Sequence, residues 1–392
     1  PDGITYDITI DGVLALLELD GFVREVRGGR YDRTKGEGDQ TRIAATAKMV
    51  DWFAADPALI PKALVGCEDT DPVVVQVTTK RKGKNKKGKE VTFKTKTLKK
   101  YTDDANTNQM RDNLNLINDC LKRHWSDLYL SDEDWAKLQR SLVGNKKYDY
   151  TPIQLHRQTI RRIFNSTSFD VGGRFYGGWW QNIPSAYRSV ITINGYRTVE
   201  ADYSQFHPNI LYHLKQAKLT GEDAYERILG SEHRDLSKQI FNACLNSSYE
   251  TDRPPKGMKI SHTGFKWREI KERLRKAHPQ IEDAFFTDQG MSLQFYDSQM
   301  AEHVMLAFAK DKKPILPVHD SFLVLEDDQE LLLESMKTAY EQVLGKDIKI
   351  DLKKAKFMRL PPSEDNVFEE VMAHSSWLDR NDAADEYYGR MI

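Results

Sequence analysis

Two carboxylates at the ends of strand-like runs constrain this chain more than any other feature. The first, Asp202, closes the apolar and β-branched run Thr198-Val-Glu-Ala-Asp202, and a helix-like segment, Phe206 to Leu214, follows it. The second, Asp320, lies in Ile315-Leu-Pro-Val-His-Asp-Ser-Phe-Leu-Val-Leu325. Two apolar runs there flank His319-Asp320 and predict a β-hairpin with the acid at its bend. Either acid alone is more commonly a turn residue or a helix cap. On adjoining strand ends they become a pair that two Mg²⁺ ions, roughly 3.5 to 4 Å apart, can share while stabilising the attacking and leaving oxygens of a phosphoryl displacement.

The words around these acids carry a resemblance. Asp202-Tyr-Ser-Gln and Val318-His-Asp are similar to motifs A and C of the superfamily that joins family A DNA polymerases to the single-subunit RNA polymerases of bacteriophages and mitochondria. Asp170-Val-Gly-Gly173-Arg174 resembles an Asp-x-x-Gly-Arg signature of the RNA branch, where it supports template and hybrid near the active site. Gln181-Asn-Ile-Pro184 resembles a word of the DNA branch on the primer-template side. Physically, a Gly-rich turn lets backbone approach a sugar-phosphate chain, and Arg174 and Arg188 can pair with phosphates. Trp179 and Trp180 are expected in the core.

A third pattern lies between the two acids. Arg234, Lys238, Asn242 and Asn246 fall four apart and share one helix face, while Leu236, Ile240 and Cys244 form an apolar stripe elsewhere. On its own this is a solvated helix face. Between motifs A and C it is the place of motif B, where cations bind a nucleoside triphosphate and Lys238 neutralises or protonates the leaving pyrophosphate. The chain departs from the family here: Asn242 and Asn246 stand where aromatic residues are expected, so sugar and base discrimination do not carry over from either branch. His207 stands where the DNA branch carries a Glu that blocks the ribose 2′-hydroxyl and the RNA branch a small residue. A His next to Pro208 at a helix start is also an ordinary cap.

The resemblance implies an α+β right-hand polymerase fold, with an antiparallel-sheet palm and helical fingers and thumb. Its implied cofactor is a pair of Mg²⁺ ions, with Mn²⁺ as a substitute, held by Asp202, Asp320 and the carbonyl of Tyr203. It implies a nucleoside triphosphate on Arg234, Lys238, Tyr203, His207, Asn242 and Asn246, and nucleic acid on Asp170, Gly173, Arg174, Gln181, Arg188 and His319. A DNA-directed RNA polymerase working on a DNA template is the first expectation. A family A-like DNA polymerase without proofreading and a catalytically idle nucleic-acid-binding relative are the alternatives. A second subunit or promoter-recognition helper is an expected partner.

Elsewhere the sequence speaks of organisation. Residues 1–55 combine a helix candidate near Gly12 with a Gly-turned, Arg-bearing hairpin, the pattern of a winged-helix-like unit or of a small α/β cap. Residues 56–150 hold a basic hairpin and thumb-like helices. Lys80 to Lys100 carries eleven Lys or Arg residues between β-prone flanks, suited to a phosphate backbone or to a solvated loop. From Asn108 to Leu130 the apolar spacing predicts one long amphipathic helix. Residues 151–213 and 293–392 are expected to form the palm, ending in an acidic tail, and 214–292 the fingers. The net charge of −1 therefore hides a basic arm and an acidic tail.

Cys67, Cys120 and Cys244 lack metal or disulfide spacing and read as buried hydrophobes. No apolar run approaches the roughly 18 to 20 residues of a membrane span and no signal-peptide pattern is seen, so a cytoplasmic location is expected, in a bacterial host if the chain is phage-encoded.

Overall fold

The computed structural model describes residues 6–26, 42–49, 51, 71–84, 90–130, 157–221 and 223–353, with a few positions between 134 and 155. Cys67, the tip of the basic hairpin, the Gly28 turn and the acidic tail lie outside the described residues. The fold is α+β. At the N-terminal end, helix α1 (Tyr6–Leu19) precedes an antiparallel hairpin of β1 (Val23–Val26) and β2 (Arg42–Ala45), the helix-plus-hairpin order expected there.

A four-stranded sheet follows. Strands β3 (Val73–Lys84) and β4 (Glu90–Lys99) form the long basic hairpin, in register from Val75 opposite Lys99 to Lys84 opposite Glu90. The base of β3 pairs in parallel with β6 (Arg161–Phe164), which pairs with β7 (Gly172–Tyr176). The Arg174 strand and the cationic arm thus belong to one sheet, in the order β4-β3-β6-β7. Val73, Val75, Met110, Phe164 and Phe169 form a small core beneath it.

Helix α2 (Ala105–Leu121) opens with a capping box: the Asp104 carboxylate accepts the Thr107 N–H, and the Thr107 hydroxyl oxygen accepts the Asp104 N–H. It ends earlier than its apolar spacing predicts, because residues 126–128 become strand β5 (Ser126–Leu128). The turn residue Asn194 captures this segment. Its side chain accepts the Trp125 N–H at 2.9 Å, and its own N–H donates to the Trp125 carbonyl at 2.6 Å. Sheet pairing overrides the helical period, and Leu128 is fully buried as a strand residue.

The central sheet holds β5, β8 (Ile191–Ile193), β9 (Tyr196–Tyr203), β10 (Leu316–Val318), β11 (Ser321–Leu325) and β12 (Ile350–Lys353). Its path is β10-β11-β9-β8-β5, and β12 pairs with the end of β9. Around it pack α3 (Phe206–Leu214), α4 (Glu226–Leu229), α5 (Arg234–Leu245), α6 (Trp267–Ala277), α7 (Gly290–Lys310) and α8 (Gln329–Leu344). One continuous apolar core includes Trp179, Trp180, Phe322, Phe308 and Tyr340, as well as the buried Cys120 and Cys244. The two Trp residues are core as expected, with indole N–H groups donating to Ser126 and to the Pro317 carbonyl. Helix α7 lies against β7 and α8, with α2 alongside. No helix among the described residues is long and apolar enough to cross a membrane.

Candidate active site

Asp202 is the last residue but one of a strand that is hydrogen-bonded on both sides. In register it faces Ser321 of β11 and Asp351 of β12. The hairpin β10–β11 closes from Val318 to Ser321 through the two residues His319 and Asp320, with His319 at φ +61°. A left-handed residue in a two-residue loop matches the twist of the flanking strands, which is why the loop is tight. Adjacent strands run about 4.8 Å apart, so the sheet delivers both acids to one of its ends.

Electrostatics agrees with this proximity. Burial first, and then the neighbouring Asp320 charge, push the Asp202 carboxyl up to about 6, while Lys353 pulls it down. A third acid joins them. Asp297, on α7, is buried and ion-paired with Arg174. Burial pushes its carboxyl up to about 7 against the pull of Arg174, with Asp320 and Asp202 adding to the rise. Burial opposes the charge of Arg174, yet Asp297 and Asp320 together hold its guanidinium above its ordinary value.

Histidine and amide groups line the same space. His207, at the start of α3, is depressed by burial and feels Asp320, Arg174, Lys238 and Asn242. Its Nε2 and the Asn242 Oδ1 are buried without a completed hydrogen bond among the described residues, as is His319 Nδ1. Burial and the Arg174 charge depress His319 to about 4, and its ring packs edge-on against Tyr176 at 5.3 Å. These are polar atoms buried around charge, and native interiors rarely leave such atoms unsatisfied.

The other expected residues are placed as follows. Lys238 is exposed on α5, with its Nζ 5.9 Å from the Tyr225 ring centre. Arg234 packs over the same ring but is shared with Asp223 at 2.9 Å and Glu226 at 4.0 Å. Asn246 caps the end of α5, donates to the Asn242 carbonyl at 2.6 Å, and fills the place where a Cβ on Gly290 would stand. The Tyr203 side chain is buried, donating to the Met336 carbonyl and stacking on Phe206, and its hydroxyl is raised by burial first and then by charges that include Asp297 and Asp320.

Four residues expected on nucleic acid are engaged within the chain. Gln181 spends its amide on the Gly177 N–H and the Phe175 and Pro317 carbonyls, each at 3.0 Å. Arg188 pairs with Glu200 at 3.2 Å. Asp170 accepts the Ser168 hydroxyl on an exposed turn. Gly173 stands at φ +78°, and an added Cβ would lie 2.6 Å from the Phe164 ring and 2.9 Å from the Ser298 hydroxyl, so it is needed for packing.

Two residues of the site escape sequence reasoning. Asp297 is one, although an acid at the spacing of Leu293, Met300, Ala301 and Val304 on an apolar helix stripe is a readable signal. Lys353 is the other. It reaches Asp202 Oδ2 at 3.0 Å and Glu200 Oε1 at 3.4 Å from the neighbouring strand, and only the register of β12 against β9 reveals it.

Among the described residues no group of three or more His, Cys, Asp or Glu is arranged to hold a metal by itself. Mg²⁺, however, ordinarily takes one or two carboxylates and completes its shell with water and substrate phosphates. Paired hard-oxygen donors, with the Asp202 carboxyl raised by burial first and by the Asp320 charge second, fit that habit.

No protein family matches the chain in a scan, and no curated protein matches it. Among solved structures it is similar to the POL domain of Pol1 from M. smegmatis, in complex with DNA primer-template and dNTP. The identity is 16%, the TM-score 0.35, and the match covers 55% of this chain and 50% of that one, so the chain spans half the length of that neighbour.

Proposed function

We propose that this chain is a template-directed nucleotidyltransferase with a right-hand architecture, whose palm is the central sheet. The observation that carries the reading is the proximity of Asp202 and Asp320 at one end of the central sheet, beside Arg174 and the Lys238 face of α5. Mg²⁺, when bound, supplies Lewis-acid stabilisation of the phosphoryl oxygens. Asp202 and Asp320 are the carboxylates that hold it. Lys238 binds the triphosphate and neutralises the departing pyrophosphate, with Arg234 in support at the start of the same helix. Arg174, oriented by Asp297, faces the strand being extended. His207 and Asn242, which interact with each other, line the place of the incoming nucleotide.

The first reading is a DNA-directed RNA polymerase of the single-subunit type, supported by Asp170-x-x-Gly173-Arg174 and by the lack of an acid at position 207. One observation favours a DNA polymerase instead. The His207 ring, buried beside Asn242, is bulky at the position expected to meet the ribose 2′-hydroxyl.

Extension of a labelled primer on DNA and RNA templates, with ribo- or deoxyribonucleoside triphosphates and Mg²⁺, tests both. Incorporation that disappears in Asp320→Ala supports the activity, and the preferred sugar selects the branch. Equal inactivity of the native and Asp320→Ala proteins under every condition would sink both readings.

A further inference from the structure

Lys353 is unusual among the basic residues near the acid pair because it touches one of the two carboxylates directly. Its Nζ stands 3.0 Å from Asp202 Oδ2, and 3.4 Å from Glu200 Oε1. Register explains the contact. Lys353 lies opposite Glu200 across the β9–β12 ladder, so its long side chain runs diagonally towards Asp202 on the same face. Glu200 is fixed independently, accepting the Ser321 hydroxyl at 2.9 Å and pairing with Arg188 at 3.2 Å. The row Arg188, Glu200, Lys353 and Asp202 is therefore an anchored chain of alternating charge whose last link is an acid of the proposed metal site. Lys353 is about half exposed, with 51% of its side chain accessible, so its ammonium can move into solvent.

We propose that Lys353 is a positioning residue that acts as a resident monovalent cation for Asp202, holding one of its oxygens until a divalent ion displaces it. It would thereby set the ion concentration at which the site fills. This deepens the two-carboxylate reading above and rests on it. An ion entering between Asp202 and Asp320 meets a carboxylate already engaged at Oδ2, so loading exchanges an ammonium for a metal. The released ammonium keeps Glu200 as its partner, which limits the cost of the exchange.

The test is direct Mn²⁺ binding to the full chain, by electron paramagnetic resonance of free Mn²⁺, for the native protein and for Lys353→Met, Lys353→Arg and Asp320→Asn. Lys353→Met is expected to bind Mn²⁺ on the order of tenfold more tightly, as for a unit charge removed from a partly exposed position a few ångströms away. Lys353→Arg, which keeps the charge, is expected to stay within about twofold of native. Unchanged or weaker binding in Lys353→Met, with a native melting profile, would overturn the proposal. So would weakened nucleic-acid binding by Lys353→Met at unchanged Mn²⁺ affinity, since Lys353 would then serve the strand and not the acid. The underlying reading fails separately, if native protein and Asp320→Asn bind Mn²⁺ equally.

Discussion

At the scale of single residues the site is a problem of crowded negative charge. Asp297 and Arg174 are both largely buried, with 2% and 15% of their side chains accessible. Asp297→Ala would strand a guanidinium and is expected to cost about 3–5 kcal/mol, whereas Asp297→Ala combined with Arg174→Met should recover much of the loss. Denaturant melts of the three variants check this. Asp202 gives a pH signature with a definite sign. Its folded value of about 6 lies above the unfolded value of about 3.9, so its contribution to stability is full below the unfolded value and fades as pH rises through about 6. The stability of the metal-free protein relative to Asp202→Asn should therefore decline as pH rises across that window. Mn²⁺ affinity should rise over the same window, because the ion needs the ionised carboxylate. A titration of melting temperature with and without Mn²⁺ reads both. The acids Asp202 and Asp320 are legible in the sequence because strand patterning brackets each of them. Lys353 is not, since no local pattern tells which strand lies beside β9.

At the scale of elements, what the chain reveals locally and what it hides divide along the same line. Helix α5 is readable from its four-residue spacing, and the β10–β11 hairpin from two apolar runs around a short bend. The end of α2 is not, because Leu128 falls on the helical period by accident while its partner in β8 lies far along the chain. Histidine offers a test of how α3, α4 and α6 are joined. His278, just beyond α6, is fully buried. It accepts from the Tyr212 hydroxyl at 3.2 Å through Nδ1 and donates from Nε2 to the Ala224 carbonyl at 2.9 Å. Burial depresses it to about 4. A depressed histidine stabilises the fold above its unfolded value of about 6.5, and that contribution is lost as pH falls through the folded value. The stability of the native protein relative to His278→Asn should therefore decline as pH falls from about 6.5 to about 4. Chemical denaturation at several pH values measures the difference.

At the scale of the whole molecule, two sheets divide the labour. The central sheet presents the acids, and the four-stranded sheet carries Arg174 on one edge strand and the basic hairpin on the other side. Replacing residues 80–94 by a two-residue Asn-Gly turn would close the ladder at Thr79 opposite Thr95, leaving the strands beneath intact. The shortened protein is expected to bind duplex more weakly. Its slope of log affinity against log salt should fall by about 0.9 for each phosphate that the arm no longer neutralises, while Mn²⁺ binding stays native. Fluorescence anisotropy across a salt series checks the first part and paramagnetic titration the second. A salt slope that does not change would leave the hairpin without its assigned task. Because β6 alone joins β7 to the arm, a substitution that breaks the β3–β6 pairing is expected to part the Arg174 strand from the basic hairpin.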